Sequence, residues 1–457
     1  MMIYLESLGC CRNQVDSEVM LGRLAAAGHA IVEDPSRAEV IIVNTCGFIS
    51  AASAEAVDTI LAMAEYKKEG SCNRLVVTGC LPERFKHDEL LLELPEVDAF
   101  LGTGACDCIV EAVETGPGER MARFPDPCAR QMQGHPLPRR LTLEYLAHVK
   151  ISEGCDRLCT YCIIPKLRGI QRSRSIESIV EESETMVKKG VQEIILVGEN
   201  TSDYGIDLNS AAGLDSAVDL ALLLSTLSER IVSLAPQVWI RLLYTHPSSL
   251  SRDMVTTVAG LENVCTYFDV PIQHASTRIL RRMGRNYNQE DLYDLFAFIR
   301  KTAPEAALRT TLITGFPGET DGDFETLLSF VKEIRFDQLG VFAYSDSDDL
   351  KSHNLKDHVD EEKAELRRDT IMAAQAEISR QINGKYLGKI LTVLVEENPG
   401  DGIYLGRTSF QAPEVDGITF VYGSGIEIGT FVKVKITEAH EYDLAGEVAP
   451  TTATLNG

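Results

Sequence analysis

The sequence predicts an α/β protein built in three parts, and three observations predict it. Short apolar runs alternate with helical periodicity up to about residue 355. Gly and Cys recur directly after those runs, where a parallel sheet presents its ligand-binding end. Beyond residue 385 the pattern changes to short stretches of period two, the mark of a small antiparallel β-barrel. A length of 457 residues suggests about three domains.

Residues 1–124 read as an N-terminal parallel-sheet domain. Strands are expected at 3–8, 40–43 and 75–78, and helices at 16–27, ended by Gly28, and at 51–66. Each strand runs directly into a cysteine: Cys10, Cys46 and Cys80. Three equivalent strand ends bring three thiols to one point, whereas three merely structural cysteines would have no reason to share that placement. Cys11, Cys72, Cys106, Cys108, Cys128 and Cys265 lack it and read as bystanders. Residues 125–140 (PDPCARQMQGHPLPRR) are proline-rich and aperiodic, a linker.

From 141 to 383 the alternation resumes as a parallel sheet or barrel. Strands are expected at 147–151, 193–197, 239–244, 267–270, 307–313 and 338–343, with helices such as 176–189 and 291–301 between them. A polar helix over 359–383 puts Ile371, Ala374, Ile378 and Ile382 on one face, and Gly384 is placed to end it as a C′ residue. Residues 384–450 form the β-barrel, with strands at 390–395, 419–422 and 432–437.

Composition bounds the class. Hydrophobic residues at 44% and charged residues at 25% describe a globular protein. No stretch of 18 or more apolar residues and no basic leader are present, so a cytoplasmic protein without a membrane span is expected. Twelve cysteines in a reducing compartment favour metal ligation or redox chemistry over disulfides. A formal net charge of −24 repels phosphate backbones and attracts basic partners.

The chemistry centres on KISEGCDRLCTYCIIPKLRG, residues 150–169. Cys155, Cys159 and Cys162 are spaced C-x3-C-x2-C. Three thiolates can hold three corners of a cubic iron–sulfur cluster and leave the fourth iron open to a small molecule. Zinc needs a fourth ligand, and none follows in register; His148 is nearest but precedes the loop. An open-iron [4Fe–4S] cluster can bind S-adenosylmethionine and cleave it on reduction, chemistry that belongs to the cofactor. The Gly-bearing strand ends Val197-Gly198-Glu199-Asn200 and Thr314-Gly315-Phe316-Pro317-Gly318 suit close backbone approach to such a ligand.

The cysteine loop with its aromatic Tyr161 resembles the radical S-adenosylmethionine superfamily. Strand-end Cys10, Cys46 and Cys80 narrow the resemblance to the methylthiotransferases. Gly9-Cys10 with Asn13, Asp16-Ser17-Glu18, Asn44-Thr45-Cys46-Gly47-Phe48-Ile49, Val77-Thr78-Gly79-Cys80-Leu81 and Thr314 to Thr320 match as well. The resemblance covers nearly the whole chain. It implies a three-cysteine N-terminal domain, a central radical-SAM partial (β/α) barrel and a C-terminal barrel of the TRAM type. It also implies two [4Fe–4S] clusters, with Cys155, Cys159 and Cys162 on the radical-generating one and Cys10, Cys46 and Cys80 on an auxiliary, sulfur-carrying one. One S-adenosylmethionine would methylate that sulfur, and a second would yield the radical that removes hydrogen from the substrate. Tyr161, Gly198, Glu199, Arg241, Gln273 and Gly315 are the implied cofactor contacts. A small redox protein or flavin would supply electrons, and no sulfur donor is indicated.

Two branches of the family differ in substrate: an aspartate of small-subunit ribosomal protein twelve, or a tRNA adenosine. Tyr267 to Ser276, Ile151 to Arg157 and Ala412 to Gly417 resemble the protein-modifying branch. Residues 385–450 carry ten acidic and five basic side chains, which suits a basic protein better than tRNA. A non-catalytic iron–sulfur carrier is the reading from another class; it would need neither an open iron nor a large α/β middle. Tyr344 to Asp349, Val197 to Ser202 and Gln411 depart from the family's usual runs.

Overall fold

The computed structural model describes residues 1–87, 92–116, 118–129, 138–212 and 218–450. Of the expected linker, residues 130–137 lie outside the described residues.

The N-terminal sheet consists of β1 (Met2–Ser7), β2 (Ala30–Ile31), β3 (Val40–Thr45), β4 (Arg74–Gly79), β5 (Ala99–Leu101) and β6 (Met121–Arg123). Its order is β2-β1-β3-β4-β5-β6, and every pairing is parallel. β3 and β4 are buried along their whole length, because helices cover both faces. Val40, Ile42 and Val76 pack with Met20 and Leu24 of helix Cys11–Ala26. Ile41, Val43, Leu75 and Val77 pack with Ala56 and Ile60 of helix Ser50–Ala64 on the other face. The strand order reverses between β1 and β3, the topological switch point where such sheets open a crevice.

The middle region carries β7 (Leu146–Lys150), a ribbon of β8 (Ser152–Glu153) and β9 (Arg172–Ser173), then β10 (Glu193–Val197), β11 (Trp239–Leu242), β12 (Tyr267–Asp269), β13 (Ala307–Thr314) and β14 (Gln338–Ala343). Parallel sheets β11-β10-β7 and β12-β13-β14 meet along β11 and β12 through the bridge Ile240–Val264 and the bond from Thr245 N–H to Asp269 C=O, 3.1 Å. The result is an open half-barrel. Ile194, Leu196 and Ile240 face its helical coat, while Ile195, Val197 and Tyr267 line its concave side.

Helix Glu361–Asn383 packs on β13 and β14 through Ile371, Ile378 and Ile382. Gln375, not Ala374, fills the buried position between them and donates to Phe336 C=O at 2.7 Å. Gly384 is not a left-handed C′ residue: it stays right-handed at φ −54° and opens a 3₁₀ turn. The left-handed glycine is Gly388, φ +78°.

The C-terminal strands β15 (Ile390–Gly400), β16 (Ile403–Thr408), β17 (Thr419–Tyr422), β18 (Phe431–Ala439) and β19 (Leu444–Val448) close a barrel in the order β15-β16-β17-β19-β18. The expected antiparallel barrel has one parallel seam, β17 with β19, because β18 crosses over between them. No helix among the described residues is long and apolar enough to cross a membrane.

Candidate functional site: two cysteine triads at one seam

Cys10 and Cys46 end β1 and β3 on either side of the switch point, and Cys80 follows β4. The first helix begins at Cys11, earlier than periodicity suggested. Cys10 is its N-cap residue. Glycine is required where the loops close up: Gly79 has φ +100°, and a Cβ there would lie 2.5 Å from both Asn44 Oδ1 and Thr45 O. At Gly9, φ +95°, a Cβ would reach within 2.9 Å of Cys46 Cβ.

One side chain ties the three loops. Buried Asn13 donates through Nδ2 to Leu8 C=O (3.1 Å) and Thr45 C=O (3.0 Å). Its Oδ1 accepts from Arg168 Nη2 at 2.5 Å and from the Cys80 thiol at 3.9 Å. Burial works against a thiolate at Cys10, but the guanidiniums of Arg12 and Arg168 outweigh it and hold that thiol below its ordinary value. Burial raises Cys46, and it pushes Cys80 up to about 12 despite Arg168.

The second triad lies on the loop between β8 and β9. The ribbon pairs Ser152 with Ser173 and Glu153 with Arg172, and Cys155 N–H bonds Gly169 C=O at 3.0 Å, so both ends of the loop are fixed. Inside it, Cys162 N–H bonds Cys159 C=O at 3.2 Å, and Cys155 Sγ accepts from Arg157 N–H at 3.4 Å. Burial raises Cys155 to about 11 and Cys162 to about 12, with neighbouring thiols adding to the effect. Cluster binding at either triad must therefore displace protons. Soft sulfur donors crowded this way, with no hard ligand among them, fit an iron–sulfur cluster. Among the described residues no three His, Cys, Asp or Glu side chains converge on a single-ion position.

Cys155, Cys159 and Cys162 face a cleft of about 240 Å³, shared with Tyr161, Glu199 and Gln273 on the half-barrel and with Arg12 and Phe48 from the N-terminal domain. Two lining residues, Tyr244 (φ +61°) and Gln273 (φ +65°), hold the left-handed backbone that side chains disfavour.

The other expected contacts lie elsewhere. Gly198 backs the cleft, its C=O accepting from Arg12 Nη1 at 3.1 Å. Gly315 packs on the long helix, where a Cβ would meet Ala364 Cβ at 2.2 Å. Arg241, expected at the cofactor, is fully buried away from the cleft: it pairs with Glu193 at 2.6 Å and donates to Ser409 C=O in the C-terminal barrel. Glu193 in turn binds Arg407 of that barrel at 2.6 Å.

The structure adds residues that the sequence did not single out. Arg12 pairs with Glu199 at 3.1 Å, and Arg168 approaches the same carboxylate at 3.6 Å. Arg168 also binds Asp16 at 3.1 Å and Glu153, and Lys150 joins both carboxylates at 2.7 and 2.8 Å. Arg285 donates to Tyr161 Oη at 2.7 Å and fixes that ring. Burial lowers His246 to about 2; its Nδ1 accepts from Ser248 N–H, so the ring faces the cleft neutral. Asp349, in a run that departs from the family's usual one, receives both ends of the Arg84 guanidinium at 2.9 and 2.6 Å, and Arg84 also binds Gly47 C=O. That departure thus anchors the Cys46 loop to the half-barrel.

Residues 2–102 match the model of the uncharacterized protein family UPF0004, residues 149–331 that of the radical SAM superfamily, and residues 387–449 that of the TRAM domain. A protein of Desulfosudis oleivorans named ribosomal protein uS12 methylthiotransferase RimO is 49% identical over 98% of this chain and 100% of its own. One of the same name from Clostridioides difficile is 43% identical over 98% of each. Among solved structures, the radical S-adenosylmethionine methyltransferase TsrM of Kitasatospora setae superposes with a TM-score of 0.56 at 13% identity, covering 88% of this chain and 79% of its own. The cobalamin-dependent radical enzyme OxsB gives 0.51 at 12%, covering 82% and 56%. These two show the fold. Identity at that level along essentially the entire chain, over the same three-part architecture, makes this chain a member of the ribosomal protein uS12 methylthiotransferase family.

Proposed function

We propose that the protein attaches a methylthio group to the β-carbon of an aspartate in ribosomal protein uS12. The observation that supports this reading best is the placing of two cysteine triads on the two sides of one seam. Cys155, Cys159 and Cys162 line the cleft, and Arg12 and Phe48, each two residues after Cys10 and Cys46, reach into it from the other side. Cys155, Cys159 and Cys162 would hold the radical SAM [4Fe–4S] cluster, and Cys10, Cys46 and Cys80 a second one. Bound there with S-adenosylmethionine, the two supply radical abstraction of hydrogen from an unactivated carbon and the sulfur to be added, neither of which a side-chain base can provide.

The protein's own residues do the rest. Asn13 holds the three strand-end loops in register. The Arg12–Glu199 pair fixes that triad against the cleft. Tyr161, steadied by Arg285, forms a wall of the cleft beside Cys155, Cys159 and Cys162. Neutral His246 adds no charge to the cleft. Gln273 is held in its left-handed pose by a bond from its N–H to Thr311 C=O at 2.8 Å, which presents it to the bound cofactor.

The C-terminal barrel would receive the substrate. The Asp416 and Arg407 side chains are buried, so the remaining acidic excess lies toward the surface, complementary to a basic ribosomal protein and repellent to tRNA. Such a substrate belongs to the cytoplasm, and a small redox protein or flavin would deliver electrons. The test is reconstitution with both clusters, followed by mass measurement on uS12 and on tRNA. A methylthio adduct on uS12 alone supports the reading, and one on tRNA alone overturns the substrate.

A further inference from the structure

Residues 409–416 leave the C-terminal barrel and plug the concave side of the half-barrel. Ala412 is fully buried there beside Ile195, Val197 and Tyr267. Gln411, where the family usually has Asp, shapes the plug: its Oε1 accepts from Thr408 N–H and Oγ1, both at 3.0 Å, and from Thr419 Oγ1 at 2.8 Å.

A chain of polar contacts runs from this plug to the cleft wall. Asp416 accepts from Tyr267 Oη at 2.6 Å and faces Arg309 Nε at 3.3 Å. Arg309 Nη1 pairs with Asp269 Oδ1 at 3.0 Å, and Asp269 Oδ2 accepts the backbone N–H of Tyr244 at 2.9 Å. Tyr244 is one of the two left-handed residues of the cleft. Its ring stacks on the Arg12 guanidinium, 4.7 Å from the centroid, and its hydroxyl meets Cys11 Sγ at 3.5 Å. A left-handed tyrosine persists only where its surroundings determine it, and here its N–H and C=O are both taken, the latter by Thr201 N–H at 3.0 Å. Buried ion pairs are poor glue compared with apolar packing, but they specify one geometry. The chain is thus suited to setting the pose of Tyr244.

We infer that Tyr244 is a positioning residue: it seats Arg12, and with it the Cys10 loop, against the cleft, and Asp416 of the C-terminal barrel sets its pose through Arg309 and Asp269. The catalytic arm of the test rests on the function proposed above; the structural arm does not.

The structural arm is hydrogen exchange on the full-length, cluster-free chain. Asp416→Asn is expected to speed exchange at the Tyr244 and Thr245 amides about tenfold while those of β16 and β18 hold. Unchanged exchange at Tyr244, or a uniform rise across the chain, overturns the inference. In the reconstituted enzyme, Asp416→Asn and Tyr244→Leu should raise the 5′-deoxyadenosine formed per methylthio group transferred about tenfold. Tyr244→Phe, which keeps the ring on Arg12, should hold the wild-type ratio. A wild-type ratio in Tyr244→Leu overturns the inference; a wild-type enzyme that transfers nothing to uS12 overturns the proposed function and leaves the exchange result to decide this one.

Discussion

Arg12 and Glu199 meet at 3.1 Å across the seam between the N-terminal domain and the half-barrel, Glu199 buried and Arg12 largely so. Arg12 stands two residues after Cys10, and Glu199 two after the end of β10. Arg168, six residues after Cys162, approaches the other oxygen of the same carboxylate. One anion therefore joins the surroundings of both cysteine triads. Replacing it with a neutral amide takes the carboxylate from Arg12 while Arg168 keeps Asp16 and Glu153, and Glu199→Gln is expected to cost about 2 kcal/mol in urea unfolding of the full-length chain. A loss below about 1 kcal/mol would mean the pair is only incidental.

Asn13→Ala removes the tie among three loops. Leu8 and Thr45 lose a donor, and Arg168 and Cys80 lose an acceptor. The expected destabilisation is about 2–4 kcal/mol, from several buried groups left unpaired. Iron retained after reconstitution should fall at the N-terminal triad while the Cys155 loop keeps its share, and iron analysis in a Cys159→Ala background checks this.

Much of this was legible in the sequence, and the misses have physical causes. Parallel strands buried on both faces read as continuous apolar runs, so β10 fell where expected and β1, β3, β4, β7, β11, β12 and β13 within a residue or two. β14 and β17 also matched, but the short strands β2, β5, β6, β8 and β9 and the barrel strands β16 and β19 were not foreseen, and β15 runs five residues past its expected end. The start of the first helix was not visible, because residues 13–18 bury Asn13, Asp16, Ser17 and Glu18 against a polar network and so lack an apolar stripe. Gly384 does end the α-helix, after Asn383, but as a right-handed cap rather than a left-handed C′ residue, because a 3₁₀ turn follows it directly. Arg241 was expected at the cofactor on the family resemblance alone. Its partners, Glu193 and the distant Ser409 carbonyl, have no sequence proximity to it. Arg12, Arg168 and Arg285 escaped notice for the same reason: an arginine in or beside a loop looks solvated until the fold supplies its counter-charge.

Glu319 introduces a pH dependence. Burial pushes its carboxyl up to about 7 from an ordinary value of 4.5, although Arg367 and the amides of Gly315 and Phe316 oppose the shift. Its neighbour His274 is lowered by burial to about 3 and stays neutral. The folded state thus binds the extra proton between pH 4.5 and 7, so Glu319 contributes stability that is full below 4.5 and lost as pH rises through 7. Wild-type stability, relative to Glu319→Gln, should decline across that window; parallel denaturation curves from pH 5 to 8 would refute it.

The acidic barrel surface predicts a salt effect confined to the protein substrate. Raising ionic strength from roughly 0.05 to 0.5 M shortens the Debye length several-fold and should raise KM for uS12 while KM for S-adenosylmethionine holds. Equal sensitivity of both, or of neither, would remove the barrel as the docking face.

The central claim is that two cysteine triads divide the chemistry across one seam. Its most direct test measures 5′-deoxyadenosine and methylthio-uS12 together in the reconstituted variants Cys159→Ala and Cys46→Ala. The expected result is that Cys159→Ala forms neither product, while Cys46→Ala forms 5′-deoxyadenosine without methylthio-uS12. Loss of 5′-deoxyadenosine in Cys46→Ala, with the Cys155–Cys159–Cys162 cluster still assembled, would contradict it.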